Sequence, residues 1–270
     1  MNVMRVRRRS GAAVAALLLS IGLAGCGSTP NDESAQWSPD KLYAEAREEA
    51  SAGNSERALK LYERLEGRAA GTTMAQQAQL ERAFLLYRTQ ERAQALSVIE
   101  RFLKLHPTSP AADYALYLQG LINFNDTLGL FSSLSRQDLS ERDQQASRDS
   151  YQSFKQLVEQ YPASKYAEDA RTRMNHIVNS LAAYELHVAR YYYRRGAYVA
   201  AANRAQQVVK EFQDSPSAEE ALFLMVQSYE RLELTELRDD AQRVLRQNFP
   251  DSTLSSTGPR KPQRAWWQFW

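Results

Sequence analysis

The sequence predicts an all-α fold, a stack of about five helix pairs over residues 38–250. Three observations carry this. First, a short motif recurs as Pro107-Thr108-Ser109-Pro110-Ala111-Ala112-Asp113-Tyr114-Ala115, Pro162-Ala163-Ser164-Lys165-Tyr166-Ala167-Glu168-Asp169-Ala170 and Gln213-Asp214-Ser215-Pro216-Ser217-Ala218-Glu219-Glu220-Ala221. Second, a turn position followed by small and apolar residues recurs at fixed offsets: Gly53 with Ala58, Tyr62 and Leu65; Gln90 with Ala95, Ile99 and Phe102; Gly196 with Ala201, Ala205 and Val208. Third, helix start signals sit where the pairs should begin. A serine hydroxyl accepts a bond from a free amide of the first helical turn, and proline at the first helical position loses none.

Residues 1–25 read as a signal peptide. Arg5, Arg7, Arg8 and Arg9 form a basic start, and Gly11–Ala24 is apolar. That stretch is shorter than the roughly 20 residues a bilayer span needs. It ends at Leu23-Ala24-Gly25-Cys26, which holds the only cysteine of the chain. This run resembles the lipobox of bacterial lipoproteins. The resemblance implies cleavage before Cys26 and lipid on its thiol and new amino terminus. Each buried methylene contributes about 0.8 kcal/mol, so several chains make a durable anchor. Gly27, in place of an aspartate, favours the outer membrane in enteric bacteria. No cofactor is expected beyond this covalent lipid. Residues 26–37 form the lipidated tether.

Five pairs follow, at roughly 38–70, 72–107, 110–162, 163–213 and 215–250. Ser38-Pro39, Ser109-Pro110 and Ser215-Pro216 read as helix starts, and Thr73 with Gln76 as a capping box. Alanines three apart share one helical face, where small side chains let two helices approach. Ala58 to Ala95 and Ala201 to Arg238 are each 37 residues. Helix pairs with Gly, Ala, aromatic and Pro at these offsets resemble tetratricopeptide repeats, which implies a right-handed superhelical solenoid. The third pair is overlong, with an expected insertion over about 125–145. The fourth is overlong within a helix, because Lys165–Arg195 contains no glycine or proline. Residues 251–270 read as a flexible, basic tail holding Trp266, Trp267 and Trp270. It could dock on a partner or on the repeats, meet an anionic membrane, or do neither.

Composition excludes several function classes. Removing residues 1–25 leaves a net charge of −2, and Cys26–Gly258 carries −5. That is unlike a nucleic-acid binder, which shows a basic face. With Cys26 lipidated, no thiol remains for a disulfide or a metal. His106, His176 and His187 lack the neighbouring ligands that a metal site needs. There is no phosphate loop and no nucleophile motif, so the protein is not expected to be an enzyme. Tyr184, Tyr191, Tyr192, Tyr193 and Tyr198 could line a groove or pack between repeats.

Three long runs go beyond generic repeats: Arg101–Thr108, Asp113–Leu121 and Arg190–Arg204. With the lipobox, five repeats, the insertion and the extended fourth unit, residues 15–250 resemble the BamD family of outer-membrane lipoproteins. These belong to the β-barrel assembly machinery. The insertion diverges, and the Trp-rich tail is not a recognised feature of the family. The resemblance implies binding to the periplasmic domains of BamA through the C-terminal repeats, contact with other Bam lipoproteins, and reception of unfolded outer-membrane proteins by the N-terminal repeats. It assigns Arg204 to a pair with an acidic residue of BamA. Arg195 is a second candidate. A solvated helix residue is the plainer reading of Arg204. The rival function is an outer-membrane repeat lipoprotein that acts as an adaptor for peptidoglycan enzymes.

Overall fold

The computed structural model describes residues 33–124 and 141–254. Cys26, most of the expected insertion and the tail beyond Leu254 lie outside them. Ten α-helices occur among the described residues: α1 Pro39–Ala52, α2 Ser55–Arg68, α3 Thr73–Arg88, α4 Arg92–Leu105, α5 Ala112–Asn123, α6 Glu141–Gln160, α7 Ala167–Arg194, α8 Tyr198–Glu211, α9 Ala218–Arg231 and α10 Thr235–Asn248. No strand occurs among these residues. The chain divides into two compact units, Met1–Ala75 and Gln76–Trp270.

In the first unit α1 packs on α2. Ser38 caps α1, its Oγ accepting from the Lys41 amide at 3.3 Å with Pro39 at the first position. Gly53 reverses the chain at φ +87°. Leu42 and Ala46 of α1 and Ala58, Tyr62 and Leu65 of α2 are buried. The segment before α1 is strapped to α2. Arg64 bonds Ser34, and Arg68 bonds the carbonyls of Trp37 and Ala35, the latter at 2.5 Å. Lys41 lies 4.3 Å from the centre of the Trp37 ring. The expected tether of residues 26–37 is therefore attached to the fold from Ser34 onward. Thr72, not Thr73, caps α3: its Oγ1 accepts from the Ala75 amide at 3.2 Å.

In the second unit successive helices pack in register: α4 on α5, α5 on α6, α6 on α7, α7 on α8, α8 on α9 and α9 on α10. This is the stacking of a tetratricopeptide-like helical solenoid. The alanines behave as their spacing predicts. Ala112, Ala115, Ala167, Ala170, Ala218 and Ala221 are all buried, as are Ala95, Ala201 and Ala205 on the second helices. The turns within pairs share one left-handed residue: Gln90 at φ +66°, Gly196 at +76° and Glu233 at +59°. The geometry persists where glycine does not, although a side chain there costs roughly 1–2 kcal/mol.

Ser109 and Ser215 do not cap helices at Pro110 and Pro216. Each opens a turn first, and α5 and α9 begin at Ala112 and Ala218, whose amides reach the serine carbonyls at 3.0 Å. The Ser109 hydroxyl, and that of Ser164 at the matching position, also reach back to the preceding pair. Ser109 Oγ donates to Gln76 Oε1 at 2.8 Å, and Ser164 Oγ to Asp113 Oδ2 at 2.7 Å. Gln76 and Asp113 hold equivalent first-turn positions in the preceding pair, so this serine stitches one repeat to the next. Ser215 Oγ is buried without a partner.

Three boundaries shift. Helix α6 begins at Glu141, so residues 141–145 of the expected insertion are helical. Helix α7 has 28 residues, about 42 Å at 1.5 Å per residue. The core runs past residue 250, because Leu254 is 1% exposed within it.

Candidate partner-binding surface

Helix α8 buries a stripe of Ala201, Ala205 and Val208. Arg204 lies at the edge of that stripe, facing α7. Its Nη1 donates to Glu185 Oε2 at 2.9 Å. The arginine side chain is 43% exposed and the glutamate 4%. Arg204 is thus neither freely solvated nor buried. One nitrogen of its fork is held by the buried carboxylate, while the side chain as a whole stays partly exposed. A guanidinium offers five N–H donors, and this bond uses one.

A second ion pair joins α7 to α9. Arg190 Nε donates to Glu220 Oε1 at 2.6 Å, and its Nη2 bonds Oε2 of the same carboxylate. Both carboxylate oxygens are engaged, the geometry of a strong bidentate pair. The sequence reading missed this pair. Its two halves lie in quoted motifs, the Arg190–Arg204 run and the third serine motif, yet no local spacing connects them.

Arg195 stands apart from the Arg204 contact. It closes α7, its amide reaching the carbonyls of Tyr191 and Tyr192 at 3.2 and 3.1 Å. Its guanidinium lies 5.5 Å from the Tyr191 ring centre, with Nε 3.3 Å from the Tyr191 hydroxyl. Tyr193 packs edge-on to Tyr198 at 5.4 Å, and Arg231 of α9 lies 5.8 Å from the Tyr198 ring. Tyr193 is partly buried against the core, whereas Tyr191 is exposed. The tyrosines therefore divide between packing and surface. Exposed Val199, Leu234 and Leu237 lie beside these same turns.

A further cluster on α5 and α7 was not read from the sequence. The Tyr117 and Tyr166 rings stack at 4.7 Å. Asp169 accepts from the Tyr117 hydroxyl at 2.7 Å and from Arg173 Nε at 2.6 Å. Burial alone would raise the Asp169 pKa, but the bonds from Arg173 and Tyr117 outweigh it and hold it below the ordinary value. Tyr117 is raised by burial and by its bond to Asp169. Nearby Tyr114 is pushed up to about 12 by burial, then by the charge of Glu81.

Among the described residues no group of three or more His, Cys, Asp or Glu could hold a metal ion. No helix among them is long and apolar enough to cross a membrane. The fold and this surface define a tetratricopeptide-like repeat protein with an arginine- and tyrosine-rich C-terminal edge.

Comparison with known proteins identifies its family. The profile of a family described as outer membrane lipoprotein (YfiO) matches residues 35–245. The chain is 44% identical to outer membrane protein assembly factor BamD of Neisseria meningitidis serogroup B, over 94% of this chain and 98% of that protein. It is 34% identical to BamD of Vibrio cholerae, over 86% of this chain and 95% of that protein. Against BamD of Xylella fastidiosa Temecula1 the identity is 36%, over 78% and 72%. The chain belongs to the BamD family of outer-membrane lipoproteins. Its place is the outer membrane.

Proposed function

We propose that this protein is a non-enzymatic scaffold of the outer-membrane β-barrel assembly complex. It binds the periplasmic domains of BamA through Arg204, with Arg195 as a second contact, and helps receive unfolded outer-membrane proteins for folding and insertion. Cys26 carries the lipid that holds it at the periplasmic face of the membrane. The observation that carries the BamA contact is Arg204 itself. It is a partly exposed arginine that bonds Glu185 through one nitrogen of its fork, on the fourth pair of a chain related to named assembly factors. An arginine with a free planar edge is suited to a bidentate bond with a carboxylate.

Stacked helix pairs form a rigid support, since each repeat is braced by its neighbours. The lipid confines the chain to the membrane plane and raises its effective concentration against partners there. The test is a titration of the purified periplasmic domains of BamA with the mature protein and with Arg204→Glu. The charge reversal should weaken binding at least tenfold, or about 1.4 kcal/mol. Equal affinity would remove Arg204 from the interface.

A further inference from the structure

We infer that Glu185 is a positioning residue for Arg204, a buried carboxylate that pins the guanidinium so that its free edge meets a partner carboxylate. This rests on the reading that Arg204 contacts an acidic partner residue.

Glu185 lies on the core side of α7, among buried Leu181, Ala182, Leu186 and Ala189. A carboxylate there is costly unless it is paired, and an apolar side chain of similar volume would pack at least as well. Packing therefore does not explain the charge. Among the described residues its one hydrogen-bond partner is Arg204 Nη1, at 2.9 Å.

The neighbouring pair gives the contrast. Arg190 and Glu220 engage through two bonds, and both side chains are less exposed than Arg204. That pair is closed and joins two repeats. Glu185 takes only one bond from Arg204 and leaves the outer fork open. A free arginine loses much rotamer freedom on binding, and pinning it beforehand lowers that loss. Glu185 is almost fully covered, so an incoming carboxylate approaches from the opposite side and need not displace it.

The experiment measures affinity for the purified periplasmic domains of BamA by calorimetry. It compares the mature protein with Glu185→Gln, Glu185→Met, Arg204→Ala and the Glu185→Gln/Arg204→Ala double variant. Thermal melting is followed in parallel. Glu185→Gln should weaken binding by about three- to tenfold, within the range of coupling between contacting residues. Glu185→Met should weaken it similarly while melting no lower than the parent, because an apolar replacement ends the burial of charge. That combination separates positioning from a structural role. In the Arg204→Ala background the Glu185→Gln effect should vanish. If Arg204→Ala weakens binding while both Glu185 variants keep full affinity or tighten it, the positioning role is overturned. Equal weakening by Glu185→Gln with and without Arg204 would also overturn it. No effect of Arg204→Ala would instead refute the underlying contact, and the positioning role with it.

Discussion

Replacing Gly120 with alanine probes how closely α5 and α6 are packed. A β-carbon at Gly120 would lie 2.6 and 2.7 Å from Cδ1 and Cζ of Phe154. Ordinary carbon contacts are about 3.5–4.0 Å, so the ring would have to retreat by roughly 1 Å. Phe154 is fully buried, with Tyr117 and Phe124 at centroid distances of 6.0 and 6.3 Å. Overpacking of this kind costs about 1–3 kcal/mol. Alanine recovers about 1 kcal/mol of helix propensity. The net expectation is a loss of up to about 2 kcal/mol, read as a lower urea midpoint. Gly67 supplies the control. It too is helical, but its β-carbon would meet nothing within 4 Å, so Gly67→Ala should raise stability by up to about 1 kcal/mol. If Gly120→Ala were as stable as Gly67→Ala, the close approach of the two helices would be wrong.

Four further outcomes follow from the geometry. Ser164→Ala removes the stitch to Asp113 and should cost about 0.5–1.5 kcal/mol in chemical denaturation. Ser215→Ala deletes a buried hydroxyl with no partner and should be neutral or slightly stabilising in the same assay. Tyr114 has its folded pKa raised from 10.0 to about 12, so above pH 10 the unfolded chain gives up this proton first. The stability it contributes is complete below pH 10 and is lost as pH rises through 12. Tyr114→Phe should therefore flatten the fall in stability over that window, as followed by denaturant midpoints. Arg68→Ala releases the bonds to the Ala35 and Trp37 carbonyls. Hydrogen exchange should then speed up before Pro39 while the interior of α1 stays protected.

The parts of this fold legible in the sequence are those set by local spacing. Alanines three apart predicted the buried faces of α5, α7 and α9, and all six are buried because helix geometry alone places them together. Turn positions were legible at Gly53 and Gly196, but Glu233 adopts the same left-handed backbone with no compositional sign. There the packing of adjoining helices overrides residue preference. The helix starts expected at Pro110 and Pro216 fall two residues later, since Ser-Pro marks both a cap and the turn that can precede a helix. The functional surface was legible only in part. Arg204 came from the resemblance of a whole run. Its partner Glu185 is 19 residues away across a turn, and Arg190 and Glu220 are 30 apart. Such pairs are fixed by helix packing, which no short motif encodes.

The assembly-scaffold reading meets its most direct test in intact outer membranes. A photo-crosslinking residue placed at Asn203, the exposed position beside Arg204, would report what this surface of the lipidated protein touches. The expected product is a covalent adduct with BamA that is lost when Arg204→Glu is added. An adduct with a peptidoglycan enzyme and never with BamA would contradict the account.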